Sequence, residues 1–153
     1  MRNCLVGVGI FLLAGAVVEV SGCSSKTCST RGCYDGFSAT VSSGEIGSLP
    51  TGTHRIEVIA DGASLGCTFR VPLGTTTAPT CSTGLSVLVA PASAQVVETI
   101  TVAGTPGQVH AWQYVDDVAI LDAAAAPSYE EQRPNGPECE PVCRQASAAW
   151  TLQ

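Results

Sequence analysis

Charge and aromatic rings are both scarce in this chain. Asp, Glu, Lys and Arg make up 13% of its 153 residues and Phe, Trp and Tyr 5%, with two histidines. Only 7 Lys and Arg stand against 13 Asp and Glu, a net charge of −6. That balance argues against nucleic acid as a partner and against adsorption onto anionic headgroups. So low a charged fraction also excludes an acidic disordered tail, which would be charge-rich and poor in β-branched residues. The sequence lacks a phosphate-cradling loop and His-Glu-x-x-His, and its one Gly-x-Ser-x-Gly match, Gly62 to Gly66, falls between two β-type runs rather than between a strand and a helix, so no recognisable catalytic motif is present. No apolar run reaches the roughly 20 residues that a membrane-spanning helix needs.

The longest apolar run is Leu5 to Val18, fourteen residues. One positive charge at Arg2 precedes it and small residues, Ser21 and Gly22, follow, which is the order of a secretory signal. Val20-Ser21-Gly22-Cys23 resembles the lipobox of bacterial lipoproteins: aliphatic, small, Gly or Ala, then Cys. That resemblance implies removal of residues 1–22 as a signal peptide, a diacylglyceryl group on the Cys23 thiol and acylation of the new amino terminus. Two or more buried chains give durable attachment, each methylene contributing about 0.8 kcal/mol. Glu19 departs from the pattern as an acidic neighbour of the box. Ser24 stands where an Asp often signals inner-membrane retention in two-membrane bacteria, so in such a host the resemblance implies the outer membrane. The expected location is the cell envelope, with the lipid bilayer as partner through acylated Cys23.

Past the anchor, Gly, Pro, Ser and Thr alternate with short β-branched blocks, the texture of an all-β domain with many turns. Residues 24–32 are short, polar and unpatterned, which makes 23–32 a lipidated tether and 33–153 the domain. Alternation begins at Phe37-Ser38-Ala39-Thr40-Val41. It returns at Ile56 to Ala60, and then along Leu65, Cys67, Phe69 and Val71, with Asp61-Gly62 between the two runs. Asp-Gly in that setting is a strong hairpin signal. A Thr- and Pro-rich loop is expected over 72–83. Further strands are expected over 85–90, 96–103, 108–115, 118–122 and 146–152, with Asp116-Asp117 as a turn. Ala123 to Ala126 could open a helical turn that Pro127 stops, and 127–144 reads as a long loop. Seven or eight short strands point to a two-sheet sandwich.

Leu49-Pro50-Thr51-Gly52-Thr53-His54-Arg55-Ile56-Glu57-Val58 resembles a turn-and-strand of bacterial immunoglobulin-like and carboxypeptidase-regulatory-like modules. His54 replaces the aromatic usual in that motif. The chain is also similar to uncharacterised bacterial lipoproteins that begin with Gly-Cys-x-Asp-Gly, here Gly32 to Gly36, and end with Pro-Asn-Gly-Pro-x-Cys-x-Pro-x-Cys, here Pro134 to Cys143. These resemblances imply an immunoglobulin-like sandwich and bring no activity with them.

Of eight cysteines, Cys4 leaves with the signal and Cys23 takes the lipid. Cys28, Cys33, Cys67, Cys81, Cys139 and Cys143 remain, and in an exported domain six cysteines imply three disulfides. Cys28-x4-Cys33 and Cys139-x3-Cys143 also approach zinc-ligand spacing, a reading the oxidising compartment disfavours. Cys67 and Cys81 bracket a short loop and can close it locally. In an immunoglobulin-type sandwich the first and last strands often run parallel, which would bring Cys33 beside Cys143 and Cys28 beside Cys139. The alternative exchanges partners between the two terminal clusters.

Candidate chemistry is thin elsewhere. His54 and His110 lie in expected strands, and His110 shares a face with Trp112 and Tyr114. That face reads first as ordinary cross-strand packing. Asp116-Asp117 and Glu130-Glu131 sit in turns or loops, and no loop holding Asp35, Asp61 or Asp116-Asp117 shows the regular oxygen spacing of a calcium site. The sequence therefore predicts no catalytic residue, no metal and no cofactor. It predicts a lipid-anchored domain for interaction or envelope structure, with an unidentified protein or glycan partner. A small-ligand or carbohydrate module using Trp112, Tyr114 and Tyr129 as stacking platforms is the alternative. An enzyme would require a cleft that gathers His54 or His110 with a carboxylate.

Overall fold

The computed structural model describes residues 28–29, 31–72, 78–90 and 96–153. The expected signal peptide, Cys23, the start of the tether and the middle of the Thr- and Pro-rich loop lie outside the described residues. Ten strands form two five-stranded sheets: β1 (Gly36–Ser42), β2 (Gly52–Ala60), β3 (Ala63–Val71), β4 (Thr80–Cys81), β5 (Leu85–Val89), β6 (Val96–Ala103), β7 (Val109–Val115), β8 (Val118–Ala125), β9 (Glu130–Gln132) and β10 (Cys143–Thr151). One sheet, called A below, has the order β5-β6-β1-β10-β9; the other, sheet B, has the order β4-β3-β2-β7-β8. The only helical piece among the described residues is a single 3-10 turn, Gly44–Ile46. The fold is an all-β, disulfide-stapled two-sheet sandwich.

Period-two alternation decides which side chains meet between the sheets. Sheet A sends in Phe37, Ala39 and Val41 from β1, Ile100 and Val102 from β6, and Ala146 and Trp150 from β10. Sheet B answers with Ile56 and Val58 from β2, Phe69 from β3, and Val109 and Ala111 from β7. Phe37 and Trp150 touch with ring centroids 5.8 Å apart. Burying these side chains is the main favourable term for a domain with so few charges, at roughly 1.5–3 kcal/mol for each large one.

Tight turns set the register of sheet B. Asp61 and Gly62 have φ of 46° and 84°, the left-handed pair that a two-residue hairpin needs. They place Ala60 opposite Ala63 and Ile56 opposite Cys67. Asp116 and Asp117, with φ of 46° and 66°, make the same kind of turn between β7 and β8. Asp tolerates this region better than most residues, and Asp116 Oδ1 accepts from Thr53 N at 3.1 Å.

Three elements differ from the sequence reading. Ala123 to Ala125 continue β8 rather than open a helical turn, because they pair with Val109 to Ala111. Tertiary pairing overrides alanine's helix propensity here. The expected loop over 127–144 contains β9, which pairs with the start of β10. The last strand begins at Cys143, three residues earlier than its hydrophobic pattern suggests. The count exceeds seven or eight through β4 and β9, which are too short to alternate visibly.

β1 and β10 run parallel, Phe37 beside Ala146 and Val41 beside Trp150. Cys28 and Cys33, ahead of β1, and Cys139 and Cys143, ahead of and opening β10, therefore collect at one end. The bridges are Cys28–Cys139, Cys33–Cys143 and Cys67–Cys81. Asn135 holds the chain beside the first of them. Its Oδ1 accepts from Arg31 N at 2.9 Å, and its Nδ2 donates to Arg31 O at 2.9 Å and Glu140 O at 2.7 Å. The described part of the expected tether is thus docked onto the domain.

Candidate functional site

Chemistry-bearing side chains gather in two places, on opposite faces of β7. Val109, Ala111 and Gln113 point into the sandwich, while His110, Trp112 and Tyr114 point out. The outward three form a stripe along the strand, half-exposed. His110 and Trp112 stack with centroids 3.8 Å apart, and His110 Nε2 lies 2.6 Å from Asp122 Oδ1 on β8. Arg55 of β2 places its guanidinium 4.2 Å from the Tyr114 ring centre. It also pairs with Glu57 and, at 3.8 Å, with Asp117. Beside His110 and Trp112 a groove of about 560 Å³ runs over Ile59, Val109 and Ala124.

Inside the sandwich is a polar cluster that the sequence reading passed over. His54, Glu98 and Gln113 are each 0% exposed. His54 Nε2 lies 2.8 Å from Pro50 O. A carbonyl only accepts, so Nε2 carries the proton and Nδ1 is left as an acceptor. Gln113 Nε2 donates to that Nδ1 at 3.1 Å and to Glu98 Oε2 at 3.2 Å. The cluster therefore bridges sheet B to β6 of sheet A. His54 also stacks on Phe69 at 4.9 Å, in the place of an aromatic.

The electrostatics follow from burial. Desolvation lowers the pKa of His54 against its hydrogen bond to Pro50 and the pull of Asp116, consistent with the neutral ring deduced above. Desolvation also pushes Glu98 up to about 7, with the Gln113 hydrogen bond pulling the other way. Glu98 Oε1 and Gln113 Oε1 are both buried with no hydrogen-bond partner among the described residues. A proton on Glu98 would turn one of these acceptors into a donor. The signal for this cluster was present in the alternation, since Glu98 is in phase with Ile100 and Val102, and Gln113 with Val109 and Ala111.

The remaining candidates disperse. Tyr129 does not join Trp112 and Tyr114; it packs half-buried against the core and donates to Pro106 O at 3.0 Å. Trp150 belongs to the core, at 8% exposure. Asp35 Oδ1 accepts from Arg144 N at 2.7 Å, and Asp61 accepts from the backbone N–H groups of Gly107 and Gln108, both at 2.9 Å. These carboxylates cap loops and do not converge. No group of three or more His, Cys, Asp or Glu among the described residues is placed to hold a metal ion. His110 and Asp122 meet the first condition for acid–base work, but among the described residues the His110 ring makes no hydrogen bond to a hydroxyl or thiol nucleophile. Comparisons with protein-family models, curated proteins and solved structures find no match to this chain.

Proposed function

We propose that this chain is an exported, lipid-anchored envelope protein whose sandwich recognises a partner without catalysing a reaction on it. The recognition surface is the outer face of sheet B. The observation that carries this reading is the sorting of its aromatics. Phe37, Phe69 and Trp150 fill the core, while Trp112 and Tyr114 stand side by side in solvent contact with charged neighbours. Half-exposed aromatics ringed by polar groups are typical of binding surfaces.

The envelope location is supported by Val20-Ser21-Gly22-Cys23 and by three disulfides, which persist in oxidising compartments. Four residues separate Cys23 from Cys28, so acyl chains on Cys23 would hold the domain close to the membrane. Ser24 favours the outer membrane in a two-membrane host. A glycan stacked on Trp112 and Tyr114 is the second reading, favoured by the ring pair and the groove beside it.

Two measurements test this. Mass spectrometry of the amino-terminal peptide from the native host should find Cys23 acylated; an unmodified thiol there refutes the anchor. The disulfide-bonded chain should co-sediment with envelope material from the same host, and Trp112→Ala with Tyr114→Ala should abolish it. Co-sedimentation indifferent to both substitutions would move the recognition surface elsewhere.

A further inference from the structure

Trp112 is the centre of a row that crosses sheet B in register: Glu57 on β2, Trp112 on β7, Asp122 on β8. A carboxylate thus stands on each side of a half-exposed indole. Glu57 Oε1 is taken by Arg55 and Asp122 Oδ1 by His110. Glu57 Oε2 and Asp122 Oδ2 make no hydrogen bond or ion pair among the described residues.

The same face already shows what fills such a position. One register step along β7, Arg55 lays its guanidinium on the Tyr114 ring with Glu57 and Asp117 as counter-charges. Indole attracts a cation more strongly than phenol does, yet no Lys or Arg side chain among the described residues stacks on Trp112. No Lys or Arg among the described residues lines the groove beside it either, whose lining includes the apolar Ile59, Ala124 and Ala125 together with His110 and Trp112. Asp61, also lining the groove, adds negative charge at one end.

Resting on the recognition-face reading above, we propose that this site binds a small organic ammonium ion: a primary or quaternary amine carried on a short apolar body. The ammonium sits against Trp112 between Glu57 and Asp122, and the apolar body lies in the groove. Charge decides the class. A neutral sugar could stack on the indole and donate hydroxyls to the carboxylates, but it would leave the negative charge of the site unbalanced. A cation compensates both and gains the ring's negative face.

The test uses the full disulfide-bonded chain carrying Trp150→Phe, which leaves Trp112 as the single indole. Choline is titrated at matched ionic strength, alongside its uncharged isostere in which a tert-butyl group replaces the trimethylammonium. Choline should perturb Trp112 emission saturably, and the isostere should need roughly tenfold more for the same effect. Glu57→Gln with Asp122→Asn should erase that preference while far-UV circular dichroism stays unchanged. Equal potency of the two probes, or a preference that survives the double substitution, overturns the proposal. A saturable response of Trp112 emission to cellohexaose, with none to choline, also overturns it while leaving the recognition face standing. Silence of Trp112 toward every probe overturns the ammonium site, and the recognition face then stands or falls by the co-sedimentation test alone.

Discussion

Replacing Glu98 by Gln should make the domain more stable at neutral pH and remove a pH dependence from its folding. Glu98 is 0% exposed, and burial raises its pKa from the ordinary 4.5 to about 7. Between those values the folded protein holds a proton that the unfolded chain has released. Stability from this group is therefore complete below 4.5, declines as pH rises, and is gone above about 7. At about 1.4 kcal/mol per pH unit, the window is worth about 3 kcal/mol. His54 works in the opposite direction: its pKa is lowered, so the stability it gives is present above 6.5 and is lost as pH falls. The raw profile of the wild type mixes both. The difference between wild type and Glu98→Gln isolates the carboxyl, because the amide is close in shape and does not titrate. Urea unfolding with the disulfides intact, repeated from about pH 4 to about pH 8, should show the gap moving by about 3 kcal/mol in favour of the variant. A gap that stays flat across this range would mean that Glu98 keeps an ordinary carboxyl pKa inside the sandwich, and the account of the buried cluster would fail.

The two terminal bridges should prove strongly non-additive. Their loops span 110 and 111 residues, worth about 5 kcal/mol for the first one closed, but the second then closes only the short circuit between the terminal clusters, worth about 3 kcal/mol. Removing either alone should cost about 3 kcal/mol by chemical denaturation, and removing both about 8; equal steps would contradict the chain-entropy argument. Trp150→Ala should cost about 3–5 kcal/mol as a core cavity against Phe37, whereas Trp112→Ala, on the outer face, should cost under about 1 kcal/mol. A comparable loss at both positions in thermal melts would refute the sorting of aromatics between core and surface.

Layers and turns were legible because they depend on local pattern. Alternation at Phe37, Ala39 and Val41 marks an inner face, and Asp61-Gly62 marks a hairpin whatever the rest of the chain does. The cysteine pairs became arguable once the first and last strands were taken as parallel, since position before each strand then fixes position in space. β9 and the tail of β8 were not legible. Three residues cannot display a period, and alanine carries no strand signal until β7 supplies the partner. The buried cluster was missed for a different reason. A Glu within a β-branched strand reads as outward-facing by composition, and only its phase with Ile100 shows that it turns inward. The outer stripe was half legible: His110, Trp112 and Tyr114 share a face by count alone, but Glu57 and Asp122 join them only through register across three strands.

β7 carries both the stripe and the inner cluster, which raises the question of whether one influences the other. Trp112 and Gln113 are sequence neighbours, so proximity alone would suggest coupling. Their partners argue against it. Trp112 meets His110, Glu57 and Asp122, while Gln113 meets His54 and Glu98, and no residue belongs to both sets. Between the two faces lies a strand paired along its length with β2 on one side and β8 on the other, so a displaced side chain on one face has little backbone freedom through which to move the other. A double-mutant cycle of Trp112→Ala and Glu98→Gln, read by urea unfolding at neutral pH, should therefore give an interaction energy within about 0.5 kcal/mol of zero. A larger value would show that β7 transmits the ionisation of Glu98 to the binding face, and recognition would then have to be measured as a function of pH.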